Sequence, residues 1–407
     1  MARFTDLPSE LVVQVAFSLR RKDIVNFMLT SKRMHAEAIP ALWSDVRFQR
    51  LVDIRQDSDL EKATTFLKRL TMTRHEVPRR AFPQHFARFL RCTFPQLRCL
   101  HNVVISVEYF DRQLLGIIHK ERITELGIIG WDRALPDRER DITDFLDEFI
   151  NLESLTLSFS WNREPYFTRE GGLGWPRLRN AVLRWESCGI PIGLQQTLSR
   201  SKELQNAAVH VRSIEDIEWI SSFVQLTSLR LGFGYADNNL ADLTPISKLT
   251  KLERLIIYEN ESAPQDSRLH NSARSTLWGI LRPLQSLVYL NFGIYLGIDQ
   301  SPGLLDDFAH FMPGLQTLRL PFETFVPSSG QGQHRPTNPI PALRKLFIDA
   351  ALTINGHPLG SDPFTDDRFR SDLWRRDNEQ TKVQLRSIFP MLEKYWLWED
   401  GYSFTFE

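Results

Sequence analysis

Cysteine is scarce in this sequence, with three residues (Cys92, Cys99 and Cys188) in a chain of 407. So few thiols do not form the disulfide framework of a small secreted domain, and their number is typical of proteins in a reducing compartment. The sequence also has no uninterrupted run of about 20 apolar residues, so we expect no membrane-spanning helix. These absences favour residence in the cytoplasm, the nucleus or both.

An excess of charge of either sign is also missing, because 50 lysines and arginines balance 50 aspartates and glutamates. Proteins that bind nucleic acids or membrane surfaces by general electrostatic attraction are usually strongly basic. We therefore expect neither a nucleic acid nor a membrane among the partners of this chain.

Sequence patterns of catalytic, cofactor and metal sites are absent as well. His75-Glu76 has no second histidine at the spacing of a helical zinc site. The glycine-rich stretch 171–174 is followed by Trp175-Pro176 rather than by a helix start, so it does not predict a phosphate-binding loop. Cys188 has no histidine nearby in sequence to activate it, and a partner distant in sequence is left open. We expect a protein that is not an enzyme and that needs no cofactor or metal ion.

Residues 5–48 have the pattern of a compact module of three helices. Pro8 suits the first turn of a helix. The apolar residues of this first helix recur at helical spacing and are Leu11, Val12, Val15, Ala16 and Leu19. Asp23 is expected to cap a second helix and Ser31 a third, and Pro40 is expected to end the third helix. About 40 residues of helix bury too little apolar surface to fold alone, so the module needs a partner within or outside the chain.

The order of residues in this module resembles the F-box motif. Leu7-Pro8 opens it, Leu-x-x-x-Asp-Ile occupies residues 19–24, Ser31-Lys32-Arg33 precedes the third helix, and Leu42-Trp43 closes it. The resemblance implies docking onto a Skp-family adaptor and, through it, onto the cullin scaffold of a ubiquitin ligase. By resemblance, the adaptor-facing residues are Leu7, Pro8, Leu11, Val15, Leu19, Ile24, Ser31 and Trp43. The alternative is a three-helix cap that closes the end of a larger domain.

From residue 67 onward the sequence repeats the pattern Leu-x-x-Leu-x-Leu, with apolar residues at the first, fourth and sixth positions. Successive units start 22 to 49 residues apart, and most spacings lie near the 20–29 residues of leucine-rich repeats. The twelve units start at Leu67, Leu97, Ile123, Leu152, Leu178, Leu204, Leu226, Leu252, Leu287, Leu315, Leu343 and Leu392. Each unit predicts a short strand and a return segment, and neighbouring units stack because one unit alone cannot bury its apolar side.

The expected fold class is therefore α/β. An N-terminal three-helix F-box is followed by an irregular leucine-rich-repeat solenoid, with a curved parallel sheet on its concave face and helices and loops outside. The predicted domains are residues 1–48 (F-box), 49–66 (linker and first irregular turn) and 67–407 (repeats). Two segments interrupt the repeats: residues 326–341 are expected to be a loop, and residues 353–380 either a loop or a lid over the concave face.

The third, fifth and seventh positions of each unit are expected to face the concavity, because side chains alternate along a strand. Cations and aromatic residues are concentrated at these positions. They are Arg184, Arg230, Arg254, Tyr258, Tyr289, Arg319, Lys345, Phe347, Lys394, Trp396 and Trp398. Such residues predict a surface that binds an acidic or phosphorylated segment of a substrate protein. The alternative is a solvated face on which the aromatic residues pack against their neighbours.

Together, the F-box resemblance and the repeats imply the substrate-recognition subunit of an SCF-type (Skp adaptor–cullin–F-box) ubiquitin ligase. Such a subunit catalyses nothing and brings a target protein to the ligase. Two alternatives remain: an F-box scaffold or repeat-based binding module without a ligase role, and a repeat protein whose concavity holds a small ligand that shapes the substrate site.

Overall fold

The computed structural model describes residues 7–72, 88–89, 91–105, 115–131, 142–159, 174–185, 190–233, 240–259, 274–293, 304–321, 342–349, 353–354, 357–358, 391, 394–397 and 403–405. The chain divides into two compact units. The first unit comprises residues 1–187 and 191–203, and the second comprises residues 188–190 and 204–407.

Three helices open the first unit: α1 (Ser9–Ser18), α2 (Arg21–Met28) and α3 (Lys32–Ser44). Helices α1 and α2 both pack against α3. The core between them is small, because three of its four central residues are alanines, and it consists of Ala16, Ile24, Ala38 and Ala41. The short alanine side chains let the three helices approach closely, so the module is compact.

The ends of these helices differ from the sequence prediction at two points. Ser31 caps α3 as predicted, since its Oγ accepts a hydrogen bond from the backbone N–H of Met34 at 3.1 Å. Asp23, however, lies inside the first turn of α2, where its negative charge is still favourable near the helix N-terminus. Pro40 lies within α3 rather than ending it. Burial of Ala38 and Ala41 on either side of Pro40 offsets the backbone hydrogen bond that proline cannot make.

Residues 49–66, expected as a linker or irregular turn, instead contribute to two helices. These are α4 (Phe48–Val52) and α5 (Asp57–Thr65). The charged residues that made this stretch look like a linker lie on its outside, whereas Leu51 and Leu60 are buried. The ring of Phe48 also packs against that of Phe89, with 5.0 Å between centroids. Burial of a few apolar residues therefore outweighs the polar composition.

The first unit contains a parallel sheet in which the strands follow one another in chain order. Its strands are β1 (Asp45–Arg47), β2 (Arg69–Thr71), β3 (Cys99–Ile105), β4 (Glu125–Trp131), β5 (Ser154–Phe159) and β6 (Asn180–Trp185). Strand β1 has no repeat pattern and was not predicted, yet it pairs in parallel with β2 directly after α3. Further helical segments among the described residues of this unit include α6 (Ile142–Asp147), α7 (Ile192–Leu198) and a 3₁₀ turn at Lys120–Arg122.

The second unit repeats this arrangement. Its parallel strands are β7 (Asn206–Val211), β8 (Ser228–Phe233), β9 (Arg254–Glu259), β10 (Tyr289–Gly293), β11 (Thr317–Pro321), β12 (Lys345–Asp349) and β15 (Lys394–Leu397). A final strand, β16 (Ser403–Thr405), pairs with β15 in the antiparallel direction. The return segments include α8 (Ile214–Ile220), a 3₁₀ helix at Leu240–Lys248, α9 (Arg274–Leu281) and α10 (Leu304–Phe311).

The twelve predicted units coincide with strands β2–β12 and β15. The reason is visible in the repeat that starts at Leu226, where Leu226, Leu229 and Leu231 are all fully buried. Each such side chain contributes roughly 1.5–3 kcal/mol when it is removed from water. The chain therefore has a leucine-rich-repeat fold built from parallel strands, as the period predicts.

The two predicted insertions are described only in part. Residues 326–341 lie outside the described residues. Within 353–380, the described residues form an antiparallel pair of short strands, β13 (Thr353–Ile354) and β14 (His357–Pro358). Among the helices that the structure describes, none combines the length and apolar character needed to cross a membrane.

Asp216 in α8 gives the second unit a buried carboxylate, 2% exposed, whose Oδ2 accepts a hydrogen bond from the backbone N–H of Arg212 at 3.0 Å. Burial raises the pKa of this carboxyl above its ordinary value. The Asp216 carboxyl therefore binds a proton more tightly in the folded state than in the unfolded state. The stability that this carboxyl contributes falls as the pH rises from about 3.9 through its folded-state pKa. We expect the melting temperature of the native protein, relative to the Asp216→Asn variant, to decrease across that interval.

Glu215, on the same helix, provides a control because its pKa is shifted in the opposite direction. The Ser213 hydroxyl holds the pKa of the exposed Glu215 carboxyl below its ordinary value. The stability that this group contributes is present at higher pH and is lost as the pH falls through its folded-state pKa. The melting temperature relative to Glu215→Gln should therefore increase with pH. A pH-independent difference for Asp216→Asn would contradict the assignment of a raised pKa.

Candidate binding surfaces

The register of the second unit places the predicted substrate-facing residues in rows across the strands. One row joins equivalent third positions of neighbouring units: Ser228, Arg254, Tyr289, Thr317, Lys345 and Lys394. The next row joins the fifth positions: Arg230, Ile256, Asn291, Arg319, Phe347 and Trp396. Tyr258 belongs to the seventh-position row, exposed Arg184 lies on β6 of the first unit, and Trp398 lies outside the described residues.

Two arginines of these rows stack on tyrosines of the following strand. The guanidinium carbon of Arg230 is 4.3 Å from the ring centroid of Tyr258, and that of Arg254 is 4.4 Å from the ring centroid of Tyr289. Both arginines are exposed and both tyrosines are half-buried. A guanidinium over an aromatic face is attracted by the ring, so the stacked orientation of each arginine is favoured.

Sequence reasoning missed His210 and Gly232, which hold Tyr258 in place. His210 Nε2 and the Tyr258 hydroxyl oxygen are 2.9 Å apart, and His210 is 8% exposed. Gly232 occupies the strand between them, and a Cβ built there would lie 2.7 Å from His210 Cδ2 and 2.8 Å from Tyr258 Cζ. The three residues share the seventh position of consecutive units, so the repeat alignment contains the signal that links them.

Arg69, on β2 of the first unit, is neutralised by a carboxylate, in contrast to Arg230 and Arg254. Its Nη2 is 3.0 Å from Oε2 of Glu125, and the same oxygen lies 3.4 Å from His101 Nε2. Within the part of the chain that the structure describes, neither Arg230 nor Arg254 forms an ion pair with a carboxylate. Among the described residues, Arg230 and Arg254 therefore keep a positive charge that no neighbouring carboxylate neutralises, unlike Arg69.

Cys99 lies in register between Arg69 and Glu125. Burial, and then the negative charge of Glu125, raise the pKa of its thiol to about 11. The thiol is therefore protonated at neutral pH and is a poor nucleophile. No group of histidines, cysteines and carboxylates among the described residues is arranged to hold a metal ion.

The predicted adaptor-facing residues occupy different environments in the helical module. Ile24 is buried in its core, and Leu19 packs against that core. Trp43 is half-buried, with the Arg21 guanidinium carbon 5.8 Å from its ring centroid. Pro8 and Leu11 are exposed, and the others are half-buried: Leu7, Val15 and the helix cap Ser31. The adaptor-facing role of all eight residues stays a prediction.

Three further apolar residues of the module are exposed: Phe17 of α1, Val25 of α2, and Leu29 directly after α2. Leu29 is 79% exposed, and Val25 lies one helical turn before it. None of the three is among the adaptor-facing residues that the F-box resemblance implies. They extend the apolar surface that the module presents.

Comparisons with known proteins add the following. No family model matches the chain, and no curated protein matches it. Among solved structures, the chain is similar to the internalin inlF of Listeria monocytogenes, at 15% identity over 75% of this chain and 81% of that chain, with a TM-score of 0.39. It is also similar to the internalin inlC2 of Listeria monocytogenes, at 12% identity over 68% of this chain and 95% of that chain, with a TM-score of 0.29.

Replacing Gly232 by alanine should separate His210 from Tyr258, since the added methyl group overlaps both rings. We expect the variant to lose about 1–3 kcal/mol of unfolding free energy, as typical for overpacking, measured by urea denaturation. Gly279→Ala in α9 is the matched control, because a Cβ there meets nothing within 4 Å. That substitution should be neutral or stabilising by up to about 1 kcal/mol. Equal stability of the two variants would contradict the role of Gly232.

Removing the charge of Glu125 should make Cys99 more reactive. With a pKa of about 11, only about one thiol in a thousand is ionised at pH 8. Glu125→Gln removes the carboxylate that raises this pKa, so we expect faster alkylation by iodoacetamide at pH 8. The measurement uses a background in which Cys92 and Cys188 are serines. An alkylation rate unchanged by Glu125→Gln would show that burial alone controls the thiol.

Proposed function

We propose that this protein is the substrate-recognition subunit of an SCF-type ubiquitin ligase. Its N-terminal helices bind a Skp-family adaptor, and that adaptor connects the protein to a cullin scaffold. Its repeat strands bind a target protein. It is not an enzyme in this proposal. The observation that carries the proposal is a helical module with exposed apolar residues, Leu11 and Leu29 among them, in the same chain as a cationic and aromatic strand surface.

The exposed apolar residues favour docking over a purely structural cap. A terminal cap protects the core of a repeat protein and presents a polar outer face to water. Here Leu11 and Val25 are each 45% exposed and Leu29 is 79% exposed. Apolar side chains on the surface of a small module are typical of protein-interaction sites. The resemblance of residues 7–43 to the F-box motif gives this surface a partner, the Skp-family adaptor.

The helical module is joined firmly to the first strands. Helix α3 ends at Ser44 and β1 starts at Asp45. The backbone N–H of Lys68 donates to the carbonyl oxygen of Ser44 at 2.9 Å, and Arg21 Nη1 donates to the carbonyl oxygen of Asp45 at 3.3 Å. An adaptor bound to the helices would therefore have a defined orientation relative to the strands of the first unit.

Ubiquitin transfer requires no catalytic group from a subunit of this kind. Its contribution is to hold a lysine of the target near the conjugating enzyme that carries ubiquitin. This makes an intermolecular reaction effectively intramolecular. The arginines and tyrosines of the second unit suit the capture of a protein segment, since these residues often dominate interface energetics. If the helices do not bind an adaptor, the same strand surface leaves the alternative of a scaffold or repeat-based binding module without a ligase role.

The proposal is tested by co-expression with a Skp-family adaptor followed by size-exclusion chromatography. We expect a one-to-one complex for the native chain. The variant Leu11→Glu/Leu29→Glu should weaken the complex at least about 100-fold, because burial of each leucine contributes roughly 1.5–3 kcal/mol. Ile192→Glu, at a residue 72% exposed on α7 outside the helical module, is the control and should bind normally. A folded native chain that forms no complex would refute the ligase role.

A further inference from the structure

We draw no further inference here: the strongest candidate, the side-chain cluster of Arg69, Cys99, His101 and Glu125 on strands β2–β4 of the first unit, belongs to the surface already described, and nothing in the part of the chain that the structure describes points to a ligand for it, since Glu125 neutralises Arg69 and the buried Cys99 thiol is protonated at neutral pH.

Discussion

Burial of the first, fourth and sixth residues of each repeat is the constraint on which the rest of the structure depends. In the unit that starts at Leu226, the three leucines have no exposed surface. Because successive side chains of a strand point to opposite faces, a slip of one residue would exchange the buried and exposed sets. The leucines therefore determine that Arg230 is exposed. The position of the candidate binding surface follows from the packing beneath it.

Once the register is set, glycine decides which side chains meet across the strands. Gly232 leaves room for His210 to reach Tyr258, and Gly127 brings its backbone close to His101, with a Cβ placed there only 3.2 Å from His101 Nδ1. In the first unit the neighbouring charges are Arg69 and Glu125, which neutralise each other. In the second unit the neighbours are arginines and tyrosines. The same kind of strand arrangement thus presents a paired charge network in one unit and cations on aromatic rings in the other.

The repeat strands could be predicted from the sequence because their signal is local: in most units, three apolar residues within six positions identify the strand. Strand β1 could not, since Asp45–Arg47 has no such pattern and forms through pairing with β2. Helices α4 and α5 could not be predicted either, because charged residues dominate their sequences. The burial of their few leucines depends on packing against the rest of the chain. Position within the repeat was enough to select Arg230, Arg254, Tyr258 and Tyr289 as face residues. The stacking between them was not predictable, because it depends on the register between strands far apart in sequence.

The connections between strands vary far more than the strands themselves. Lys394 on β15 pairs with Lys345 on β12, although 49 residues separate them and other units start only 22 residues apart. Doubling the length of a flexible loop costs only about 0.6 kcal/mol of closure entropy. Mutations that lengthen or shorten a connection can therefore accumulate without moving the rows of side chains on the sheet. In this architecture the side chains on the sheet and the segments that connect the strands are free to evolve at different rates.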